Sequence, residues 1–219
     1  MTTRSSPVLA ARSPASSLDA EGLRALARER LVHGPDEHDG DFAFNPEFRE
    51  WVTSRAVKPA AVLIPLFERR DGLSVLLTKR RDDLKSHAGQ VAFPGGKIDE
   101  TDISVEHAAL REAQEEVGLD PHHAEVIGRL PDYYTGSGYR IAPVVALIGS
   151  GAEISANPDE VDYHFEVPFA FLMDPANHHK GSRTFEGKER YFLEMPYEGY
   201  YIWGVTAGII RALHDRLFA

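Results

Sequence analysis

The chain has 219 residues, of which 42% are hydrophobic and 26% charged, which suits one globular domain of generous size or one domain plus an ordered extension. Its formal net charge of −10 argues against a general nucleic-acid binder, because such proteins need a basic face. The absence of cysteine excludes disulfides, thiolate metal sites and cysteine nucleophiles. We expect a cytoplasmic protein, with which this composition is compatible.

The first part of the chain differs in composition from the rest. Residues 1–17 are rich in Ser, Pro and Ala and contain no acidic residue, which is typical of a disordered tail and also of a transit peptide. Residues 18–31 (LDAEGLRALARERL) predict an amphipathic helix, because the leucines fall on or near one face. We therefore divide the chain into an N-terminal extension, residues 1–55, which packs on the main domain or on a partner, and a main domain, residues 56–219.

Short predicted strands and two predicted helices make up the main domain. The apolar run AAVLIPLF predicts a buried strand, and Asp71-Gly72 predicts a hairpin turn into SVLLTKR. Further strands are predicted at QVAFPGG, AEVIGRL, IAPVVALI and HFEVPFAF, and YIWGVTAGIIRALHDRLF predicts a strand followed by a helix. No apolar run approaches the roughly 20 residues of a membrane span. The pattern indicates an α+β protein, arranged as an α/β/α sandwich.

A helix with an unfavourable charge pattern is predicted at residues 105–117. Ser104 is a suitable N-cap, Gly118 is a natural residue after the helix end, and Leu110, Ala113 and Val117 share one apolar face. Three acidic residues lie on the opposite side in the last turns: Glu112, Glu115 and Glu116. Like charges one turn apart cost roughly 0.2–0.5 kcal/mol. Negative charge at a helix C-terminus costs roughly 0.3–1 kcal/mol more per charge.

Two interpretations account for these glutamates. They form a solvated acidic face, or they bind a divalent cation that turns their repulsion into attraction. The glycine-rich segment FPGGKID lies about a dozen residues upstream and offers backbone carbonyls and room for close approach. Carboxylates and carbonyls are hard oxygen ligands, which favour Mg²⁺ or Mn²⁺.

Cations and aromatic residues near this segment are candidates for binding an anionic substrate. A basic run precedes the glycine-rich segment: Lys79, Arg80, Arg81 and Lys85. It is a phosphate-docking patch or a charged strand edge that discourages aggregation. The loop DYYTGSGYR closes over an organic group by stacking, or is an ordinary hairpin loop. The candidate substrate contacts are Arg80, Lys85, Phe93 and Tyr139.

The glutamate-rich helix carries a family resemblance. GGKIDETDISVEHAALREAQEEVGL resembles the Nudix box, whose usual form is G, five residues, E, seven residues, REUXEEXGU, with U bulky and apolar. Two features depart from that form: Ala113 is small, and Asp102 replaces the first Glu at a spacing of eight residues before Arg111. LLTKRRDDLKSHAGQVAFPGGKID and YYIWGVTAGII resemble segments of the coenzyme A diphosphatase subfamily, which tolerates both the longer spacing and the Asp. The resemblance covers roughly residues 60–213.

The resemblance implies a Nudix α/β/α sandwich with a mixed central sheet, preceded here by the helical extension. It also implies an enzyme that uses Mg²⁺ or Mn²⁺ to hydrolyse coenzyme A, or a derivative, to 3′,5′-ADP and 4′-phosphopantetheine. Alternative substrates are ADP-ribose, a dinucleoside polyphosphate or a deoxynucleoside triphosphate. An alternative of another class is a non-catalytic binding or regulatory module. The expected partner is a small molecule rather than nucleic acid or membrane, and the terminal helices offer a surface for a homodimer.

The resemblance also implies residue roles. The metal ligands are the Gly96 carbonyl, Glu112 and Glu116, with Glu115 a third ligand or acting through water. Arg111 pairs with a neighbouring carboxylate and orients it. The general base is a glutamate of the box or of a later loop, where Glu160 and Glu166 are available. We prefer Glu160, because Asn157-Pro158 marks a loop and Glu166 belongs to a predicted strand.

Overall fold

The structure, a computed structural model, describes residues 14–31, 38–50, 54, 56–83, 88–185 and 187–219. Its helices include α1 (Ala20–Arg30), α2 (Val105–Val117), α3 (Phe169–Leu172) and α4 (Gly204–Phe218). The strands are β1 (His38–Gly40), β2 (Lys58–Arg69), β3 (Gly72–Arg80), β4 (Val91–Ala92), β5 (Gly95–Lys97), β6 (Ala124–Arg129), β7 (Asp132–Tyr134), β8 (Tyr139–Ile148), β9 (Val161–Pro168), β10 (His179–Phe185), β11 (Lys188–Tyr197) and β12 (Tyr200–Trp203).

Two sheets organise the described residues. The larger sheet has nine strands, with the path β1-β7-β8-β2-β3-β4 and with β5, β6 and β9 joined to β2, β8 and β3. Strands β2 and β8 are parallel, whereas β2 and β3 form the hairpin predicted at Asp71-Gly72. The smaller sheet is the antiparallel set β10-β11-β12. The larger sheet is therefore mixed.

Side-chain alternation buries both faces of the larger sheet. Along β8, the residues Ala142, Val144, Ala146 and Ile148 pack in one cluster with α2. The intervening residues Val145 and Leu147 belong to a second cluster, which contains residues of α1, α3 and α4. Because successive side chains of a strand point to opposite faces, helices cover the sheet on both sides. The predicted α+β fold, an α/β/α sandwich, is confirmed.

Helix α2 has the predicted bounds and caps. The hydroxyl of Ser104 accepts a hydrogen bond from the amide of His107 at 3.1 Å, and Gly118 has the left-handed φ of 66° that ends the helix. The buried face differs from the prediction, because Leu110 is only partly buried while Glu116 is buried. The apolar residues that contact the sheet are mostly small: Ala108, Ala109, Ala113 and Val117. The helix can therefore lie close to the strands.

The N-terminal extension contributes to the hydrophobic core. Leu23 and Ala27 of α1 are fully buried, and Leu31 lies against Gly128, where a Cβ atom would approach the Leu31 Cβ to 2.7 Å. The predicted helix is thus observed, slightly shorter than residues 18–31. The division of the chain at residue 55 stays a prediction, although α1 packs in the same core as α4.

Two polar side chains attach the following segment to the main domain. The Asn45 amide donates to the carbonyl of Tyr191 at 2.8 Å, and its oxygen accepts from the Tyr191 amide at 3.0 Å. The Asp41 carboxylate accepts from the Tyr133 hydroxyl at 3.0 Å and from the Gly136 amide at 2.8 Å. Burial raises the pKa of Asp41 in spite of these two hydrogen bonds. The segment therefore connects the loop after β7 to the small sheet.

The sequence did not predict most of the small sheet. Only the strand before the C-terminal helix was expected, whereas β10 and β11 were not. Leu193, Met195 and Ile202 of this sheet are buried in the same cluster as α4. Within the described residues, none of the helices has the length and apolar character needed to cross a membrane.

Replacing Leu23 with Ala should lower the free energy of unfolding by about 2–4 kcal/mol, because the lost side chain is fully buried and leaves a cavity. Urea denaturation measures this change. The control is Arg28→Ala on the exposed side of the same helix, which should change stability by less than about 0.5 kcal/mol. A loss below about 1 kcal/mol for Leu23→Ala would show that α1 is not part of the folding unit.

Candidate active site

Strand β5 allows α2 to approach the main chain closely. Gly96 pairs with Ala61 of β2, and a Cβ atom at residue 96 would overlap the carboxyl group of Glu112. The Glu112 side chain is 15% exposed, and burial raises its pKa. Glycine at position 96 is therefore required for this carboxylate to reach the strand.

Glu116 is the most deeply buried of the predicted site residues on α2. Its side chain is 3% exposed; Oε1 accepts from Nη1 of Arg80 at 3.0 Å, and Oε2 accepts from the amide of Gly95 at 3.2 Å. Burial raises the pKa of Glu116 to about 7; Arg80 and the Gly95 amide oppose this rise, and Glu112 and Glu160 add to it. The carboxylate thus lacks enough positive charge around it at neutral pH.

Arg111 connects the helix to the loop before it. Its guanidinium donates to both oxygens of Asp102, at 3.0 and 2.9 Å, and to the Lys97 carbonyl at 3.0 Å. It also donates to Glu112 at 3.0 Å and to Glu115 at 3.1 Å. The predicted pairing of Arg111 with a neighbouring carboxylate is therefore seen in the geometry.

Asp102 is a site residue whose role the sequence left in doubt. Its side chain is fully buried, and it accepts from Arg111, from the amide of Asp99 at 2.8 Å and from Nδ1 of His107 at 2.8 Å. The Arg111 hydrogen bonds hold the pKa of Asp102 well below its usual range. The sequence did not predict the contact between Asp102 and Arg111, because the spacing between them differs from that of the usual motif. The acidic residue at the position of the first motif Glu was the one sequence feature that pointed to it.

Glu115 does not join the other two glutamates. Its side chain is 53% exposed and faces Arg111. Within the part of the chain that the structure describes, no three His, Asp or Glu side chains lie close enough together to hold a metal ion by themselves. Two carboxylates beside a glycine backbone still suit Mg²⁺, which commonly takes one or two carboxylates and fills its other positions with water and phosphate oxygens.

Glu160 lies on a loop that is fixed to the end of α2. The amide of Asn157 donates to the Glu116 carbonyl at 2.8 Å, and the Ser155 amide donates to the Val117 carbonyl at 2.9 Å. The charge of Glu160 raises the pKa of both Glu112 and Glu116, so its carboxylate is near them. Glu166, the other candidate base, lies on β9 and instead accepts hydrogen bonds from Arg69 at the end of β2 and from Ser74 on β3.

The predicted basic patch is largely neutralised by ion pairs. Lys79 lies 3.2 Å from Asp82 and 3.1 Å from Asp162. Arg81 pairs with Asp83 at 2.6 Å and donates to the Pro158 carbonyl. These ion pairs favour the second of the two interpretations, a charged strand edge, for Lys79 and Arg81. Lys85 lies outside the described residues.

The two aromatic candidates lie away from the glutamates. Phe93 is buried in the cluster that faces α4, so its side chain supports the core. Tyr139 begins β8 and shares a face with Ile141, which packs on the side opposite α2. The Nζ atom of Lys58 lies 5.8 Å from the centre of the Tyr139 ring. The structure thus brings together Arg80, Gly96, Arg111, Glu112, Glu116 and Glu160, but not Phe93 or Tyr139.

A family model of the NUDIX domain matches residues 57–186, and the chain belongs to the Nudix family. A protein of Escherichia coli O7:K1 (strain IAI39 / ExPEC), described as the uncharacterized Nudix hydrolase NudL, is 47% identical over 156 residues, which are 71% of this chain and 81% of that protein. The protein of the same description from Escherichia fergusonii is 46% identical over the same shares.

Solved structures resemble the chain less closely. RenU, a Nudix hydrolase from M. smegmatis, is 20% identical and has a TM-score of 0.47, covering 72% of this chain and 84% of its own. A score below 0.5 adds nothing to the family assignment. The chain is therefore a Nudix hydrolase, an enzyme that cleaves a phosphoanhydride bond in nucleoside diphosphate derivatives. Nudix enzymes generally use divalent metal ions.

Replacing Glu116 with Gln should stabilise the metal-free protein at pH 8 by on the order of 1–3 kcal/mol, because the raised pKa means that the charged form is the unfavourable one. The folded chain binds more protons than the unfolded chain between the ordinary pKa of 4.5 and the folded value of about 7. The free energy of unfolding therefore falls as pH rises through this range, and the Gln variant should lose that dependence.

Denaturant titrations in a chelator at pH 5 and pH 8 measure both effects. Glu115→Gln, at an exposed position on the same helix, is the matched control and should keep the pH dependence of the wild-type protein. If Glu116→Gln were less stable than wild type at pH 8, the interpretation of an undercompensated buried charge would be wrong.

Proposed function

We propose that the enzyme hydrolyses the diphosphate bond of coenzyme A or its acyl derivatives, giving 3′,5′-ADP and 4′-phosphopantetheine or its acyl form. One observation carries this proposal. The segment that resembles the coenzyme A diphosphatase signature supplies both Arg80 and Gly95, and these two residues bond to the same buried carboxylate, Glu116. The part of the sequence that distinguishes the subfamily thus belongs to the catalytic centre of the family.

The proposed cation is Mg²⁺ or Mn²⁺, held by Glu112, Glu116 and the carbonyl of Gly96. The cation neutralises phosphate oxygens and makes a neighbouring water more acidic. The oxygen-only donor set, the closeness of Glu112 to Gly96 and the mutual repulsion of the carboxylates all support this assignment. Glu115 acts through water, since its exposed side chain points to Arg111.

The remaining roles follow from position. Glu160 accepts the proton of the attacking water, because its charge reaches both metal-binding carboxylates while its side chain is partly exposed to solvent. Arg111 fixes the orientation of Glu112. Arg80 and Lys85 bind substrate phosphates. Tyr139 stays the proposed contact for an organic end of the substrate that extends away from the glutamates, whereas Phe93 contributes only through packing in the core.

Other substrates of the same class define the alternative. ADP-ribose, dinucleoside polyphosphates and deoxynucleoside triphosphates carry the same phosphoanhydride bond and would use the same carboxylates. The alternative of a non-catalytic module is set aside, because the family and the named relatives are hydrolases. The cytoplasmic location and the homodimer stay predictions.

A panel of these compounds, assayed with Mn²⁺ and separated by chromatography with mass detection, tests the substrate. We expect coenzyme A to give 3′,5′-ADP and 4′-phosphopantetheine at the highest kcat/KM of the panel. If coenzyme A is inert while ADP-ribose is hydrolysed, the subfamily assignment is wrong and the family assignment stands.

Glu112→Gln should reduce kcat at least about 100-fold, because the loss of a direct metal ligand should exceed the 10–100-fold effect of outer partners. Glu166→Gln is the matched control, since this glutamate bonds to Arg69 and Ser74 and lies outside the proposed centre. Steady-state kinetics on purified proteins measure both variants. Equal activity of the Glu112 variant and wild type would contradict the metal assignment.

A further inference from the structure

Arg80 occupies the position next to Glu116 that a dication would also use. Its Nη1 atom lies 3.0 Å from Oε1 of Glu116, and the other oxygen of this carboxylate accepts from the Gly95 amide. A guanidinium and a dication that bind the same oxygen repel each other strongly in a site that is shielded from water. The two cations therefore have unfavourable interactions when both contact Glu116.

We propose that Arg80 and the divalent cation compete for Glu116, and that cation binding releases Arg80 to bind a phosphate of the substrate. The proposal rests on the proposed function, because it assumes a cation at Glu112 and Glu116. It adds that Arg80 exchanges one partner for another during the catalytic cycle, and so couples cation binding to phosphate binding.

The contrast between the two arginines of the site supports this exchange. Arg111 donates five hydrogen bonds, two of them to the fully buried Asp102 and one to the Lys97 carbonyl, so it is fixed whether or not a cation is present. Within the described residues, the guanidinium of Arg80 bonds only to Glu116. Losing that single contact would release it.

Arg80 also has the right anchoring and access. Its amide donates to the Gln90 carbonyl at 3.0 Å, so the backbone stays in place while the side chain, 24% exposed, can turn toward solvent. Its sequence neighbours Lys79 and Arg81 are held by aspartates. Of the basic side chains described in this run, Arg80 is thus the one that loses its ion pair when Glu116 binds another partner.

A phosphate is a suitable second partner for the released side chain. The planar guanidinium can donate two parallel hydrogen bonds to phosphate oxygens, and such charge-assisted pairs are among the strongest in proteins. Arg80 then contributes positive charge to the substrate only after the cation has taken over Glu116.

Mn²⁺ binding to the full-length protein without substrate tests the competition. Free Mn²⁺ is measured by electron paramagnetic resonance at pH 8.5 in wild type, Arg80→Ala, Arg80→Lys and Arg69→Ala. We expect Arg80→Ala to bind Mn²⁺ at least about 5-fold more tightly than wild type, a coupling at the lower end of the usual range. Arg80→Lys, which keeps the charge, should bind Mn²⁺ as wild type does. The control Arg69→Ala removes an arginine that bonds to Glu166 outside the site, and it should also bind Mn²⁺ as wild type does.

The same variants are then assayed with coenzyme A at saturating Mn²⁺. Arg80→Ala should raise KM at least about 5-fold, because the arginine that would bind the substrate phosphate is missing, while Arg69→Ala should not. Tighter Mn²⁺ binding together with a higher KM distinguishes the exchange from a simple loss of structure. A loss of structure would weaken the binding of Mn²⁺ as well as the binding of substrate. A thermal unfolding curve of each variant confirms that it is folded.

Two outcomes for Arg80→Ala would overturn the proposal. Weaker Mn²⁺ binding would show that Arg80 supports Glu116 for the cation, and unchanged binding would show that the two do not compete. If wild type bound no Mn²⁺, or if Glu116→Gln bound it equally well, the metal site itself would be wrong and the exchange with it. If the Mn²⁺ results hold but coenzyme A is inert, the competition is supported and only the substrate assignment fails; KM is then measured with the panel compound that is hydrolysed.

Discussion

The close approach of helix α2 to strand β5 is the constraint on which the site depends. A carboxylate can lie against the main chain of a strand only where no side chain fills the space between them. Gly96 leaves that space for Glu112. The facing surface of the helix is formed largely by alanines, which bring its backbone near the sheet. Ala113 departs from the bulky residue of the usual motif, and it fits this short separation.

That approach brings negative charges together, and two arginines balance them differently. Arg111 donates hydrogen bonds to both oxygens of Asp102, so its guanidinium is held in one position. Arg80 has one carboxylate partner and remains partly accessible. Burial raises the pKa of Glu116 although Arg80 lies beside it, and the charges of Glu112 and Glu160 add to the rise. Additional positive charge beside these carboxylates would therefore be favourable, and their oxygen donors suit a hard dication.

Sequence patterns predicted the local structure of the site well. Caps and periodicity gave the bounds of α2, and turn residues gave the β2–β3 hairpin, because these features depend on neighbours in the chain. Partners distant in sequence were not predictable in this way. Asp162, which pairs with Lys79, comes from another strand, and the neutralisation of the basic run depends on it. The contact of Asp102 with Arg111 also required the folded loop.

The small sheet was missed for a related reason. Strands β10 and β11 have exposed residues of mixed character, and only Leu193 and Met195 of β11 are well buried. Two buried residues give a weak alternation signal, so the pattern does not distinguish this strand from a loop. Its position is determined by the packing of those two residues with Ile202 against α4.

The segment matched by the family model is shorter than the part of the chain that builds the hydrophobic core. The family match ends at residue 186, yet β11, β12 and α4 follow it, and α1 precedes it. All of these supply side chains to the cluster beneath the sheet. A gene fragment trimmed to the recognisable domain would expose that apolar underside to water, and such fragments self-associate. The segment that the family model matches and the hydrophobic core of the fold therefore have different boundaries.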